Sequence, residues 1–201
     1  MTSAKPSCSS VSVSDRPYIV GIGASAGGVE ALCSLLSRFT LDNTAFVVVL
    51  HISPYYDSKL AEILGRYAAM PVVRVEGLTV LAGNRIYVIR PGWDLLVAEG
   101  VLKLVAQSPS QPRRSINILF ESIAEDQRRF SIGVVLSGTG SDGAAGLKAI
   151  KAQGGTTFVQ EPKTAQFSDM PRNALPHADF ILSPEPLGDE IMSFVKSLPG
   201  R

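Results

Sequence analysis

Cysteine, histidine and tryptophan are scarce in this 201-residue chain, which holds two, two and one of them. Cys8 sits in a serine-rich stretch and Cys33 on the apolar side of an expected helix, so no structural disulfide is expected. Two distant histidines and two unclustered thiols make no recognisable metal site, and no metal or other cofactor is expected. Neither sign of charge is in excess: 19 basic and 18 acidic side chains leave a formal charge of +1. A nucleic-acid footprint or a polybasic membrane patch needs a basic face that this balance does not supply. No apolar run is long enough to span a bilayer, and the first sixteen residues carry no signal-peptide core. A cytoplasmic protein with no nucleic-acid partner and no membrane insertion is the expectation.

Alternation is what the sequence does have. Met1 to Arg16 is polar and without periodicity, and reads as a disordered leader ahead of one domain over residues 17–198. Short β-branched runs are expected as strands over 18–22, 45–50, 72–75, 85–89, 132–136, 156–159 and 180–182. Helical patterns fall over 28–39, 58–67, 115–129, 143–152, 171–175 and 187–198. The fold class is therefore α/β, a doubly wound, mostly parallel sheet. Asp94 to Val105, two apolar runs split by Glu99-Gly100, reads as an antiparallel hairpin at one edge of that sheet.

Gly23-Ala24-Ser25-Ala26-Gly27 fits G-x-S-x-G, where small neighbours expose a serine hydroxyl on a tight strand-to-helix turn. The N–H groups opening the next helix, Ala26 among them, suit the oxyanion of an acyl-transfer intermediate. Two other readings compete. Ser25 caps the helix, or Gly21, Gly23 and Ala26 form a dinucleotide turn, which expects an acidic residue closing the next strand. His51 closes it instead. A serine needs a neighbouring base to become nucleophilic, and His51 is the candidate. Asp142, in Ser137-Gly-Thr-Gly-Ser-Asp-Gly143, is the candidate to hold the other imidazole N–H, with helix capping as its ordinary alternative. All three fall at the C-terminal ends of expected strands, where open parallel sheets bind ligands. Their order, Ser–His–Asp, differs from that of α/β-hydrolases. His177, at a turn before a late strand, reads as structural.

With these residues the sequence resembles the CheB-type chemotaxis protein-glutamate methylesterases from Tyr18 to Val195. The resemblance rests on Gly21-Ile-Gly-Ala-Ser-Ala-Gly-Gly28, His51 with Pro54, Tyr87-Val-Ile-Arg-Pro-Gly92, Ser115-Ile-Asn-Ile-Leu-Phe120, Leu136-Ser-Gly-Thr-Gly-Ser-Asp-Gly-Ala-Ala-Gly146 and Met170-Pro171-Arg172. It implies hydrolysis of glutamate γ-methyl esters on the cytoplasmic helices of methyl-accepting chemotaxis receptors. Ser25 matches the family nucleophile, His51 its base and Asp142 the orienting acid, with backbone support near Ala26 and Thr139. Arg113, Arg114 and Arg172 are the candidates for steering an acidic receptor helix. Family members often carry threonine at Ala26, methionine at Thr139 and asparagine at Ser141. The sixteen-residue leader is too short for a receiver domain, so the chain looks like the modules that stand alone or are fused to a methyltransferase partner. Two alternatives stay open: a nucleotide-binding or non-catalytic signalling module, and a receptor glutamine deamidase.

Overall fold

Valine, isoleucine and phenylalanine runs in the computed structural model, which describes residues 16–51, 59–107 and 114–199, pair into one parallel sheet of seven strands. In chain order the elements begin β1 (Tyr18–Ala24), α1 (Gly28–Leu36), β2 (Thr44–Leu50), α2 (Leu60–Gly65) and β3 (Val72–Arg74). Next come β4 (Thr79–Val80), β5 (Arg85–Val88), β6 (Trp93–Ala98), β7 (Val101–Ala106) and α3 (Ser115–Gln127). The chain closes with β8 (Ile132–Val135), α4 (Ala144–Ala152), β9 (Thr156–Gln160), α5 (Asp169–Ala174), β10 (Phe180–Leu182) and α6 (Pro184–Ser197). Apart from Arg16, the expected leader lies outside the described residues.

The sheet order is β10-β9-β8-β1-β2-β5-β3: the chain winds outward from β8 to β10 on one side, and on the other passes from β1 and β2 to the edge strand β3 before β5 inserts between β2 and β3. β1 and β8 pair in parallel, Val20 with Ile132 through Gly23 with Val135, and the switch point lies between them. On the other side of β1, β2 runs in register from Tyr18↔Thr44 to Ala24↔Leu50. Side chains alternate between two cores. Val20, Ile22, Phe46, Val48 and Val134 pack with α1, α2 and α6, while Ile19, Val47, Val49 and Val135 pack with α3 and α4. Burial on both faces is why these runs read as continuous rather than alternating.

The close approach of α3 explains the glycines of β1. A methyl group on Gly21 would lie 2.7 Å from Ile123 Cδ1, and one on Gly23 would lie 2.3 Å from Ile116 Cγ2. The G-x-G spacing therefore serves helix packing on the strand.

The expected hairpin forms, but it does not extend the edge of the large sheet. β6 and β7 pair antiparallel from Trp93↔Ala106 to Ala98↔Val101, and β4 joins them through Thr79↔Leu102. The result is a separate three-stranded sheet, order β4-β7-β6. Its apolar face, Leu95, Val97 and Leu102, is buried in the α3 core, and Val97 N–H donates to the Ser122 hydroxyl of α3 at 3.0 Å. Covering that face buries more apolar surface than an edge position would, and periodicity alone does not separate the two. α6 begins three residues before its expected start because Pro184 at its first turn opens the helix.

Candidate active site

β1, β2 and β8 end together, and each hands its next residues to the same rim. Ser25 follows β1 and His51 follows β2; His51 N–H donates to the Ala24 carbonyl at 3.0 Å, continuing the register of the two strands. Ser25 N–H donates to the Ser137 carbonyl at 2.9 Å, which ties the serine turn to the loop after β8. A methyl group on Gly138 in that loop would sit 2.8 Å from the Ser25 Cβ, so the loop can pass the serine only with glycine there.

The capping reading of Ser25 fails on geometry. α1 is capped by Gly27, at φ 68°, and no side-chain oxygen serves that cap. The Ser25 carbonyl accepts from Gly28 N–H at 2.9 Å and so points along the helix. A trans peptide then turns the Ala26 N–H the opposite way, out of the helix N-terminus.

Asp142 does cap a helix, though not the one it precedes. Its Oδ2 accepts from Ile116 N–H and its Oδ1 from Asn117 N–H, both at 3.0 Å, in the first turn of α3. Oδ1 also accepts from Gly143 N–H at 3.0 Å. In return the Asn117 side chain accepts from Gly143 N–H at 3.0 Å and Gly146 N–H at 2.8 Å, in the first turn of α4. Two helix N-termini thus exchange caps, and both dipoles favour the buried carboxylate between them.

His51 Nε2 lies 3.0 Å from Asp142 Oδ2. That nitrogen is buried and makes no hydrogen bond, so the contact is close but the ring N–H is not aligned on the oxygen. Apo geometries of this kind commonly tighten when substrate arrives. With Nε2 turned to the acid, Nδ1 is the nitrogen left for a reacting group.

The cavity that contains His51 is small, about 100 Å³, and is walled by Ile89, Arg90, Trp93, Gln107 and Ser115 among others. Ligand pockets for drug-sized molecules run several-fold larger. A larger hollow of about 760 Å³ lies on the α1 side of the serine turn, lined by Gly27, Glu30, Cys33, Tyr67 and Gln166. None of Ser25, His51 and Asp142 lines it, and of the three only His51 lines the smaller one.

The CheB methylesterase family model matches residues 20–191 of the chain. The chain belongs to the CheB methylesterase family. One relative, the putative protein-glutamate methylesterase/protein-glutamine glutaminase of Leptospira interrogans, is 34% identical over 173 residues, 84% of this chain and 90% of that protein. A second, protein-glutamate methylesterase/protein-glutamine glutaminase 2 of Burkholderia pseudomallei, is 34% identical over 185 residues, 90% of this chain and 54% of the relative. The chain thus spans about half the length of such relatives. The crystal structure of the Thermotoga maritima CheB methylesterase catalytic domain superposes with a TM-score of 0.81, covering 89% of this chain and 98% of that one at 22% identity. The two share a fold.

In this CheB-family rim the remaining candidates are scattered. Thr139 is exposed in the loop between Ser25's neighbour Gly138 and Asp142. Arg114 precedes the α3 turn that holds Asp142, and its guanidinium pairs with Glu121 at 2.9 Å. Arg172, exposed on α5, donates to the Ser168 hydroxyl at 3.1 Å. Arg113 lies outside the described residues. His177 sits just before β10, at the N-terminal edge of the sheet and opposite the rim.

Three residues that CheB-type motifs contain, but that carried no assigned role, hold or line the rim. Asn117 has been described. Ser137, 1% exposed, donates its hydroxyl to the Ala26 carbonyl at 2.8 Å and accepts from Phe167 N–H at 3.0 Å, clamping the serine turn. Arg90 walls the His51 cavity. A serine directly after an apolar strand was the available signal for Ser137, and an arginine three residues before the one tryptophan that for Arg90; for Asn117 local sequence offers none, since its partners lie on another element.

Proposed function

We propose that this CheB-family domain is a serine hydrolase that removes methyl groups from glutamate γ-methyl esters on methyl-accepting chemotaxis receptors. The observation that carries the reading is the 3.0 Å approach of His51 Nε2 to a carboxylate anchored by three backbone N–H groups, at the switch point that Ser25 also borders. In this reading Asp142 holds the imidazole with its proton on Nε2 and stabilises the imidazolium. His51 Nδ1 takes the Ser25 hydroxyl proton as Oγ attacks the ester carbonyl. The Ala26 N–H and the Thr139 backbone receive the oxyanion. The proton on Nδ1 passes to the methoxide leaving group, methanol departs, and a water deprotonated at the same nitrogen releases the glutamate carboxylate and Ser25.

In this reading the role of base falls on Nδ1 because Nε2 is the nitrogen that faces the acid, the reverse of the arrangement in the chymotrypsin template. A glutaminase reading uses the same acyl-enzyme with ammonia leaving, and the double names of the relatives favour keeping it. The nucleotide reading is disfavoured by Gly21 and Gly23, whose open faces are filled by Phe120, Ile123 and Ile116. The setting in this reading is cytoplasmic, with residues 17–198 as the catalytic domain and a methyltransferase as partner or fusion; among the described residues no helix is long and apolar enough to cross a membrane.

The test is methanol release from methylated receptor membranes. Ser25→Ala, whose lost hydroxyl makes no side-chain cap, is expected to keep its melting temperature and to lose on the order of 10⁴-fold or more in turnover. Ordinary methanol release by Ser25→Ala would rule out the covalent mechanism.

A further inference from the structure

Arg90 is, among the described residues, the one guanidinium in the wall of the His51 cavity. Among the described residues it makes no hydrogen bond, and its Nε is buried without a partner. Its one ion pair among the described residues is a long one, to Glu76 at 3.6 Å from Nη1, and Glu76 is held more closely by Arg74 at 3.0 Å. The Arg90 side chain is nonetheless fixed. Its guanidinium lies 4.6 Å over the Trp93 ring, and the Trp93 carbonyl is in turn held by the Gln107 amide at 3.1 Å. Only 32% of the side chain is exposed, so an arriving anion would be met by a partly desolvated cation already in position.

We propose that Arg90 and Trp93 form a subsite beside His51 for a carboxylate that the substrate polypeptide carries next to its ester. This inference rests on the esterase reading of Ser25 and His51. A cavity of about 100 Å³ admits the tip of a side chain and not a free cofactor. A carboxylate matches the planar fork of the guanidinium in two parallel hydrogen bonds. Such a carboxylate has two sources, a neighbouring acidic side chain or the glutamate newly freed by hydrolysis. Ser25 does not line this cavity, so the structure assigns the neighbouring side chain.

Trp93 is the only tryptophan of the chain, so its fluorescence reports this subsite alone. Ser25→Ala protein, which leaves the ester intact, is titrated with three peptides: a glutamyl methyl ester flanked by glutamate, the same ester flanked by glutamine, and a free glutamate flanked by glutamine. The acid-flanked ester is expected to bind about tenfold more tightly than the glutamine-flanked ester, the range of one charge-assisted pair. Adding Arg90→Ala is expected to bring the two esters within twofold of each other, and Arg90→Lys, which keeps the charge if the alanine variant fails to fold, to retain part of the preference. Equal affinities with Arg90 intact, no saturable change with either ester, equal weakening of both by Arg90→Ala, or tight binding of the free-glutamate peptide alone would each overturn the subsite. Methanol release by the unmodified protein, measured on the same esters, separates the two failures: no release from either sinks the esterase reading, whatever the fluorescence does.

Discussion

Exchanging one oxygen of Asp142 for an NH₂ group is the most informative single change. In Asp142→Asn the amide must face a donor whichever way it turns. With NH₂ at the Oδ1 position it opposes Asn117 N–H and Gly143 N–H; at the Oδ2 position it opposes Ile116 N–H. The second orientation sacrifices fewer bonds and is expected. Asp142 is 9% exposed, so water does not replace what is lost. Leaving one buried N–H unpaired costs about 1–3 kcal/mol. Removing the charge from the α3 N-terminus adds about 0.3–2 kcal/mol. A loss of roughly 1.3–5 kcal/mol corresponds to a drop of about 3–20 °C in melting temperature for a chain of this size, at about 2–4 °C per kcal/mol. The same orientation places an N–H donor against His51 Nε2, which then must accept, leaving the imidazole proton on Nδ1. The nitrogen meant to receive the serine proton is thereby blocked, and turnover falls by about 10⁴, the scale of a wrong-tautomer defect. Melting by circular dichroism and methanol release on one preparation read both effects. A variant melting within about 2 °C of the parent would refute the cap exchange, and one with near-normal turnover would refute the assignment of Nδ1.

Two further changes probe the serine turn and the opposite edge of the sheet. Ser137→Ala removes the clamp on Ala26 and orphans Phe167 N–H; a stability loss of about 1–3 kcal/mol and a fall in kcat of about tenfold, with KM little changed, are expected from melting and steady-state assays. Asp179, between β9 and β10, is raised by burial, but hydrogen bonds from Lys151 and Thr157 outweigh that and hold its carboxyl below the usual value. A depressed folded-state pKa contributes stability that is fully present above the ordinary aspartate range of about 3.9 and is lost as pH falls through the folded value. Urea melts from pH 6 to 3 are expected to show a steeper acid loss in the parent than in Asp179→Asn; parallel curves would show that this carboxylate plays no part.

How far the sequence carries depends on how local each signal is. The strands of the sheet were legible because burial on both faces writes itself as an unbroken apolar run, and the glycine-rich turns because a tight strand-to-helix corner tolerates little else. Ser25, His51 and Asp142 stood out for the same reason: each closes or follows such a run. Gly21 and Gly23 were visible but ambiguous, since a pyrophosphate and the side chains of α3 demand the same missing Cβ. The hairpin was visible too, while its docking on α3 was not, because alternation is identical in an edge strand and in a separate sheet.

What the chain order alone determined is the set of elements, the α/β class and the three polar residues at the strand ends, all consequences of periodicity and turn chemistry within a few neighbouring residues. Tertiary structure decided what those residues meet. Asp142 meets α3 across about 25 positions, Ser137 meets Ala26 across 111, and Arg90 comes to wall the same cavity as His51 only once β5 and β2 lie side by side. Hydrogen bonds and charge pairs act over a few ångströms in space, and nothing in the linear pattern records which distant atoms folding will bring within that reach.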